Sequence, residues 1–250
     1  MKKYIISFIF NCCLAQSLDA QQEKNTEKLE QVWLAYFNQT RWSKHWGCWL
    51  DAQLRTREHL TNHVSSTFVR AGITYYVSNE TKLTVGYASL LHFTKLNEKN
   101  LAQPEHRFWQ QVQWHTNYRK TSLAQWIRLE ERYRRKISSN NTLADGYHFN
   151  LRFRYNIWYD IALSKKGLVP NKISMVLNNE LHINLGKEIV YNYFDQNRFF
   201  VGLKYPFSSS TNLQIGYLNV FQQLPLGNQY KSTDAIRISY VQTLDLRSKK

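Results

Sequence analysis

Arginine and glutamate alternate with apolar residues in several segments of this sequence, and they are the residues best suited to chemistry. Arg128, Glu130 and Arg132 occupy every second position of one run, and Arg152 and Arg154 do the same in a later run. In a β-strand, residues at this spacing point to one face, where guanidinium groups need carboxylate or amide oxygens as acceptors. If the two runs are neighbouring strands, Glu130 can pair across them with Arg152.

The candidate site is a polar face that carries many cations and fewer carboxylates. Its nine leading residues are Glu105, Arg107, Arg128, Glu130, Arg132, Arg152, Arg154, Glu180 and Arg198. The same alternation adds Arg55, Arg70, Arg134, Lys204 and Arg237, together with the carboxylates Asp51 and Asp160.

Serine and histidine form no recognisable catalytic pattern. Nucleophilic catalysis needs both side chains on one face within hydrogen-bond reach, but Ser89 belongs to the apolar face of its run. The histidines of the polar faces are His92, His115, His148 and His182. His59 and His63 have metal-like spacing without a third ligand, and the G-x-S-x-G and H-E-x-x-H motifs are absent. The sequence therefore predicts no enzyme, no metal and no cofactor, with a lipid acyl hydrolase at Ser89 as an alternative.

The elements that position these residues are strands, because polar and apolar residues alternate with a period of two. Such runs cover 32–38, 46–54, 68–77, 83–93, 106–116, 123–132, 149–159, 173–183, 196–205, 212–222 and 235–243. Single-chain membrane barrels normally have an even number of strands. We therefore expect twelve strands, the twelfth within Gln21–Gln31, or ten if two runs form one strand.

The N-terminus has the layout of a secretory signal peptide. Lys2 and Lys3 precede the apolar stretch Tyr4–Leu14, and small residues follow up to a cleavage site near Ala20. We expect a cleaved signal peptide at 1–20, a polar segment at 21–31, a barrel at 32–246 and a basic tail at 247–250. The formal net charge of +15 resembles that of nucleic-acid-binding proteins, but an exported chain does not meet the genome, so we expect no nucleic-acid partner.

The apolar faces of the runs carry almost no charge, which indicates contact with lipid. Glu131 is the one charged residue in that register, and a charge at the bilayer centre costs about 2–4 kcal/mol. Runs of about 9–11 residues also suffice to cross a bilayer. The predicted fold is all-β: a single antiparallel, up-and-down transmembrane β-barrel with a polar, charged lumen. A secreted lipocalin-like barrel or sandwich is the alternative.

The connections between the runs differ in length. Short ones fall at Ser78–Thr81, Tyr118–Thr121 and Phe207–Thr211, and long polar ones at Thr94–Pro104, Lys136–Gly146, Gly186–Tyr193 and Gln223–Thr233. Short turns on one rim and long loops on the other are typical of membrane barrels.

Two interpretations of the inward polar face remain open. A narrow barrel must fill its interior, which favours a structural polar core that plugs the lumen. The excess of cations favours a path or binding site for an anionic solute.

Several segments resemble the domain-of-unknown-function 2490 family, whose members are predicted outer-membrane β-barrels of Gram-negative bacteria. They are ExRFWQQ (Glu105–Gln111), RLEERYR (Arg128–Arg134), LRFRY (Leu151–Tyr155), LNNELHINL (Leu177–Leu185), FDQNRFFVGLKY (Phe194–Tyr205) and LQIGYLNVF (Leu213–Phe221). The resemblance implies an outer-membrane location and no particular reaction. The partners expected there are outer-membrane lipid, lipopolysaccharide and the barrel assembly machinery.

Overall fold

The computed structural model describes residues 25–57, 63–96 and 99–247, and within them the chain forms strands and no helix. Accordingly, no described helix is long and apolar enough to cross a membrane. The strands are β1 (Asn25–Arg41), β2 (Trp46–Arg57), β3 (His63–Tyr76), β4 (Thr81–Leu96), β5 (Lys99–Asn117), β6 (Thr121–Ile137), β7 (Leu143–Ala162), β8 (Ser174–Leu185), β9 (Phe194–Pro206), β10 (Thr211–Gln223) and β11 (Gln229–Asp245).

The eleven strands of the described residues form one closed barrel, in which each strand pairs with its neighbours along the chain and β1 pairs with β11. The β1–β11 contact is parallel and runs from Asn25 beside Gln229 to Arg41 beside Asp245. The expectations of twelve or ten strands and of purely antiparallel pairing are therefore wrong. Each alternating run corresponds to one strand, so the error lies in the even-number rule. With an odd number of up-and-down strands the first and last run in the same direction, and only a parallel ladder can close the barrel.

The barrel begins earlier than its apolar alternation does. Residues 25–31, expected to lie in a separate polar segment, form the first part of β1, and β11 ends at Asp245, one residue before the expected boundary. Arg247 follows the last strand. Residues 1–20 and 248–250, which carry the predicted signal peptide and most of the predicted tail, lie outside the described residues.

The two ends of the barrel are named here the N-terminal rim, where β1 begins, and the C-terminal rim, where β11 ends. The short turns are confirmed at 77–80, 118–120 and 207–210, all on the C-terminal rim. On the N-terminal rim the expected long loop Gly186–Tyr193 is confirmed, whereas the other three expected loops are partly strand: β4, for example, continues to Leu96 and β5 starts at Lys99. These segments can be strands although their side chains are polar on both faces, because the hydrogen bonds between strands are made by backbone groups. The longest described connection, 163–173, lies on the C-terminal rim, so the expected sorting of long loops to one rim fails there.

The assignment of faces is confirmed. Val69, Val85 and Phe108 point outward with 53%, 58% and 50% of their surface exposed, whereas Arg128 and Glu130 point inward and are buried. Glu131 lies on the outer face, beside Phe108 of β5.

Two pairs of facing glycines make room for aromatic rings inside the barrel. Gly72 and Gly86 lie opposite each other on β3 and β4, and a Cβ on either would come within 2.9 Å of the Trp109 ring. Gly202 and Gly216 form a second pair on β9 and β10, and the Phe200 ring lies over Gly202. Each ring belongs to a small apolar cluster within an otherwise polar lumen; the clusters are Phe68, Ala88, Leu90 and Trp109, and Trp33, Val176, Phe200, Leu218, Val220 and Ala235.

Candidate functional site in the barrel lumen

Glu105 of β5 is the first centre of an ionic network inside the barrel. It is fully buried, and its Oε1 accepts hydrogen bonds from Arg107 Nε at 2.6 Å and Arg132 Nε at 2.7 Å. Its Oε2 accepts one from Arg134 Nε at 2.8 Å and contacts His92 Nε2 at 2.9 Å. Alternation on β5 and β6 turns these side chains inward, where they converge on one carboxylate.

Glu130 of β6 is the second centre. It lies directly opposite Arg152 on β7, and Arg152 Nη2 donates to Oε2 at 2.7 Å while Arg154 Nη1 donates to Oε1 at 2.5 Å. Arg107 and Arg128 approach the same carboxylate at 3.4 Å and 3.7 Å. The predicted cross-strand pairing of Glu130 is therefore confirmed, and four guanidinium groups surround it.

Glu180 of β8 is the third centre. Arg154 Nε donates to Glu180 Oε1 at 2.7 Å, and Arg198 Nη1 lies 3.7 Å from Oε2. Ion pairs that have partners in common thus connect all nine residues predicted from the sequence, from Glu105 on β5 to Arg198 on β9. The ionic network extends from Glu105, on the side of the N-terminal rim, to the middle of the barrel, where Arg128, Arg154 and Glu180 lie.

Two buried side chains extend the ionic network beyond the sequence prediction. Asp195 of β9 binds Arg152 Nη1 at 2.9 Å, and His182 Nε2 lies 3.2 Å from Glu180. A β-bulge between His182 and Ile183 lies at this point of the β8–β9 ladder. Asp195 and Gln196, although consecutive, are both buried, and such a break in alternation is not visible in the sequence.

Guanidinium groups also stack on the two inward rings that cover the glycine pairs. The Arg128 guanidinium carbon lies 4.6 Å from the centre of the Trp109 ring, and that of Arg237 lies 3.5 Å from the centre of the Phe200 ring. Each arrangement has three layers: facing glycines, an aromatic ring and a guanidinium. Cation–π contact stabilises each buried charge, and for Arg237 it does so without a carboxylate partner among the described residues.

A cavity of about 370 Å³ adjoins the ionic network and extends from the middle of the barrel towards the C-terminal rim. Among its lining residues Asp51 pairs with Arg70 at 3.1 Å and Asp160 with Lys204 at 2.7 Å. Cations exceed carboxylates in the lining, with Arg70, Arg128, Arg154, Arg198, Lys204 and Arg237 against Asp51, Asp160 and Glu180. Four tryptophans and several amides complete the wall: Trp33, Trp49, Trp126, Trp158, Gln53, Asn156, Asn178 and Gln214.

The described residues contain no cluster of histidine, cysteine and carboxylate side chains that could hold a metal ion. One pairing on the outer face was missed from the sequence, since His106 lies outward and directly opposite Ser89 on the neighbouring strand. His106 Nδ1 contacts the Tyr87 hydroxyl at 2.5 Å, and the contacts of the described residues include no hydrogen bond between Ser89 and His106.

A family model and a solved structure are similar to this chain. The family model described as "Protein of unknown function (DUF2490)" matches residues 30–231. The chain belongs to this family. The resemblance found in the sequence segments is therefore confirmed, and the match covers β2–β10 entirely. No curated protein matches the sequence. Among solved structures, one described as "NanC porin structure in rhombohedral crystal form" aligns over 86% of this chain and 100% of its own, with 12% identity and a TM-score of 0.49.

Proposed function

We propose that this family member is an outer-membrane β-barrel of a Gram-negative bacterium whose lumen is closed by the ionic network. Residues 1–20 would direct export, the barrel assembly machinery would insert the chain, and outer-membrane lipid and lipopolysaccharide would surround it. The observation that carries the proposal is the burial of Glu105, Glu130 and Arg152 between strands that expose apolar residues outward.

The outer surface supports a membrane location. Large apolar side chains point outward along the strands, which a soluble protein of this size rarely tolerates over such an area. Aromatic pairs lie on that surface near both rims: Trp46 and Tyr75 have ring centres 5.1 Å apart near the C-terminal rim, and Tyr133 and Phe149 lie 5.0 Å apart near the other. Aromatic residues at both interfaces are typical of membrane proteins.

The ionic network supports closure. Arginine and glutamate side chains from β5–β9 converge on shared carboxylates and leave Glu105, Glu130 and Arg152 less than 5% exposed. Water and solute that passed this level would have to separate charge-assisted hydrogen bonds, which are about twice as strong as neutral ones. We therefore expect a structural barrel with no continuous aqueous path.

Planar-bilayer recording tests this proposal. Inserted wild-type protein should give no steady conductance, and Glu130→Ala, which removes the acceptor shared by four arginines, should give openings or a measurable leak. Steady conductance of the wild type would refute closure.

The alternative function is a narrow pore that favours anions, and the excess of cations around the cavity is the observation in its favour. In that case wild-type channels would be open and anion-selective, and Arg154→Glu would reduce the preference. An exposed cation such as Arg119 is the matched control, because Arg119→Glu changes the net charge equally without altering the lumen.

We also propose that the barrel is not an enzyme. The juxtaposition of Ser89 and His106 on the outer face is the arrangement that a lipid acyl hydrolase would use. However, the Tyr87 hydroxyl contacts Nδ1 of His106, and the described contacts include no carboxylate bound to His106. Purified protein should show no Ser89-dependent turnover of phospholipid; turnover that Ser89→Ala abolishes would establish an enzyme.

A further inference from the structure

Arg237 has no carboxylate partner among the described residues, in contrast to arginines of the ionic network such as Arg154. It lies on β11, opposite Gly216 of β10 and Trp33 of β1. Its guanidinium covers the Phe200 ring at 3.5 Å, and the described contacts give its Nε and Nη2 atoms, both buried, no hydrogen-bond acceptor. An aromatic ring therefore holds the cation in place, and two of its buried donors have no acceptor among the described groups.

Arg198 supplies further donor capacity to the same cavity. Its Nε is also buried without an acceptor among the described groups, and its ion-pair partner Glu180 is 3.7 Å away and is shared with Arg154. Arg198 also lies over the Trp33 ring, at 5.3 Å from the ring centre. Two guanidinium groups, each backed by aromatic rings, therefore line one wall of the cavity with unused N–H donors.

The rest of the lining suits the uncharged part of a small organic molecule. Trp33 and Trp158 present ring surfaces, and Asn178 and Gln214 present amides, all on the cavity wall. A volume of about 370 Å³ lies within the usual range of small-molecule sites, which is about 300–1,000 Å³. Most lining residues come from the half of their strand nearer the C-terminal rim, and Arg128, Arg154, Glu180 and Arg198 belong both to the lining and to the ionic network.

We propose that this cavity is a binding site for a small organic oxyanion, with its carboxylate, phosphate or sulfate group bound by Arg237 and Arg198. Guanidinium groups bind such oxyanions through paired N–H donors, and the tryptophan rings would contact the body of the ligand. This ligand site is additional to the closed barrel proposed above, because it lies in the cavity that the ionic network leaves open.

The test is equilibrium binding to the folded full chain in detergent micelles, followed by calorimetry and tryptophan fluorescence. The probes are D-glucuronate, benzoate and glycerol 3-phosphate, each compared with its neutral counterpart: D-glucose, benzyl alcohol and glycerol. At least one anion should bind saturably and about tenfold or more tighter than its counterpart, the change expected for one charge-assisted hydrogen bond.

Arg237→Gln should weaken that binding by about tenfold or more for the same reason, and Arg198→Gln should also weaken it. Arg119→Gln is the control, because Arg119 is an exposed cation on the turn at the C-terminal rim and its removal lowers the net charge equally. A gel that compares heated and unheated samples verifies that each variant is folded, and Arg198→Gln carries the test if Arg237→Gln does not fold.

The proposal is wrong if no anion binds better than its neutral counterpart, or if folded variants of Arg237 and Arg198 bind as the wild type does. An equal loss of affinity in Arg119→Gln would also overturn it, because the attraction would then depend on total charge. Each of these outcomes is independent of whether the barrel conducts in a bilayer.

Discussion

Replacement of Glu130 by glutamine removes the charge at the middle of the ionic network while it preserves the side-chain shape. Breaking a buried ion pair by removal of one partner costs about 3–5 kcal/mol. Three of the four arginines around Glu130 keep a second carboxylate, so we expect a cost at the lower limit, about 3 kcal/mol. Those remaining pairs are Arg107 with Glu105, Arg152 with Asp195 and Arg154 with Glu180.

The chain contains a matched control at the next position. Glu131 has the same chemistry but lies on the outer face, where Gln110 Nε2 is 3.4 Å from its carboxylate. If that face contacts lipid, Glu131→Gln removes an unfavourable charge and should leave the free energy of unfolding unchanged or raised by up to about 2 kcal/mol.

The assay is reversible unfolding in guanidinium or urea with the protein in lipid vesicles, followed by tryptophan fluorescence and by heat-modifiable migration on gels. Glu130→Gln should shift the unfolding midpoint to lower denaturant, and Glu131→Gln should not. Equal destabilisation by the two substitutions, or a larger loss in Glu131→Gln, would refute both the assigned faces and the role of the ionic network.

Two further substitutions test the packing and the outer surface. Gly216→Ala would place a Cβ 2.2 Å from the Val201 carbonyl oxygen and 2.4 Å from the Gly202 Cα, so we expect a loss of about 1–3 kcal/mol in unfolding free energy. Ser239→Ala, also small and inward, removes a buried hydroxyl that has no hydrogen-bond partner among the described groups and should therefore not lower the unfolding free energy. Val85→Lys places a charge at an outward position that is 58% exposed and should cost about 2–4 kcal/mol in lipid vesicles if that position lies near the bilayer midplane. A cost under about 0.5 kcal/mol, typical of an ordinary protein surface, would contradict lipid contact there.

The direction of each side chain could be predicted from the sequence because two faces of opposite polarity alternate along every run. On β7, for example, the apolar Phe153 separates Arg152 from Arg154. Once Arg152 is assigned to the lumen, alternation places Arg154 in the lumen and Phe153 on the outer face. The closure was predicted wrongly, because the even-number rule of single-chain membrane barrels was preferred to the eleven visible runs. Eleven up-and-down strands can close only through a parallel contact between β1 and β11.

The nine candidate residues could be predicted as one site, but three of its features could not. Asp195 enters the ionic network through a bulge in the β8–β9 ladder, which shifts the register locally. Trp109 and Phe200 point inward despite their apolarity, because facing glycines on other strands leave space for their rings. Polar extensions such as 99–105 look like loops, since strands that project beyond the apolar belt lose their alternation.

The most direct test of the membrane barrel is cell fractionation combined with a gel of heated and unheated samples. We predict that the mature chain, without residues 1–20, is found in the outer-membrane fraction and migrates differently before and after heating, as folded barrels in detergent do. A chain found in the soluble periplasm, with the same mobility in both samples, would contradict it.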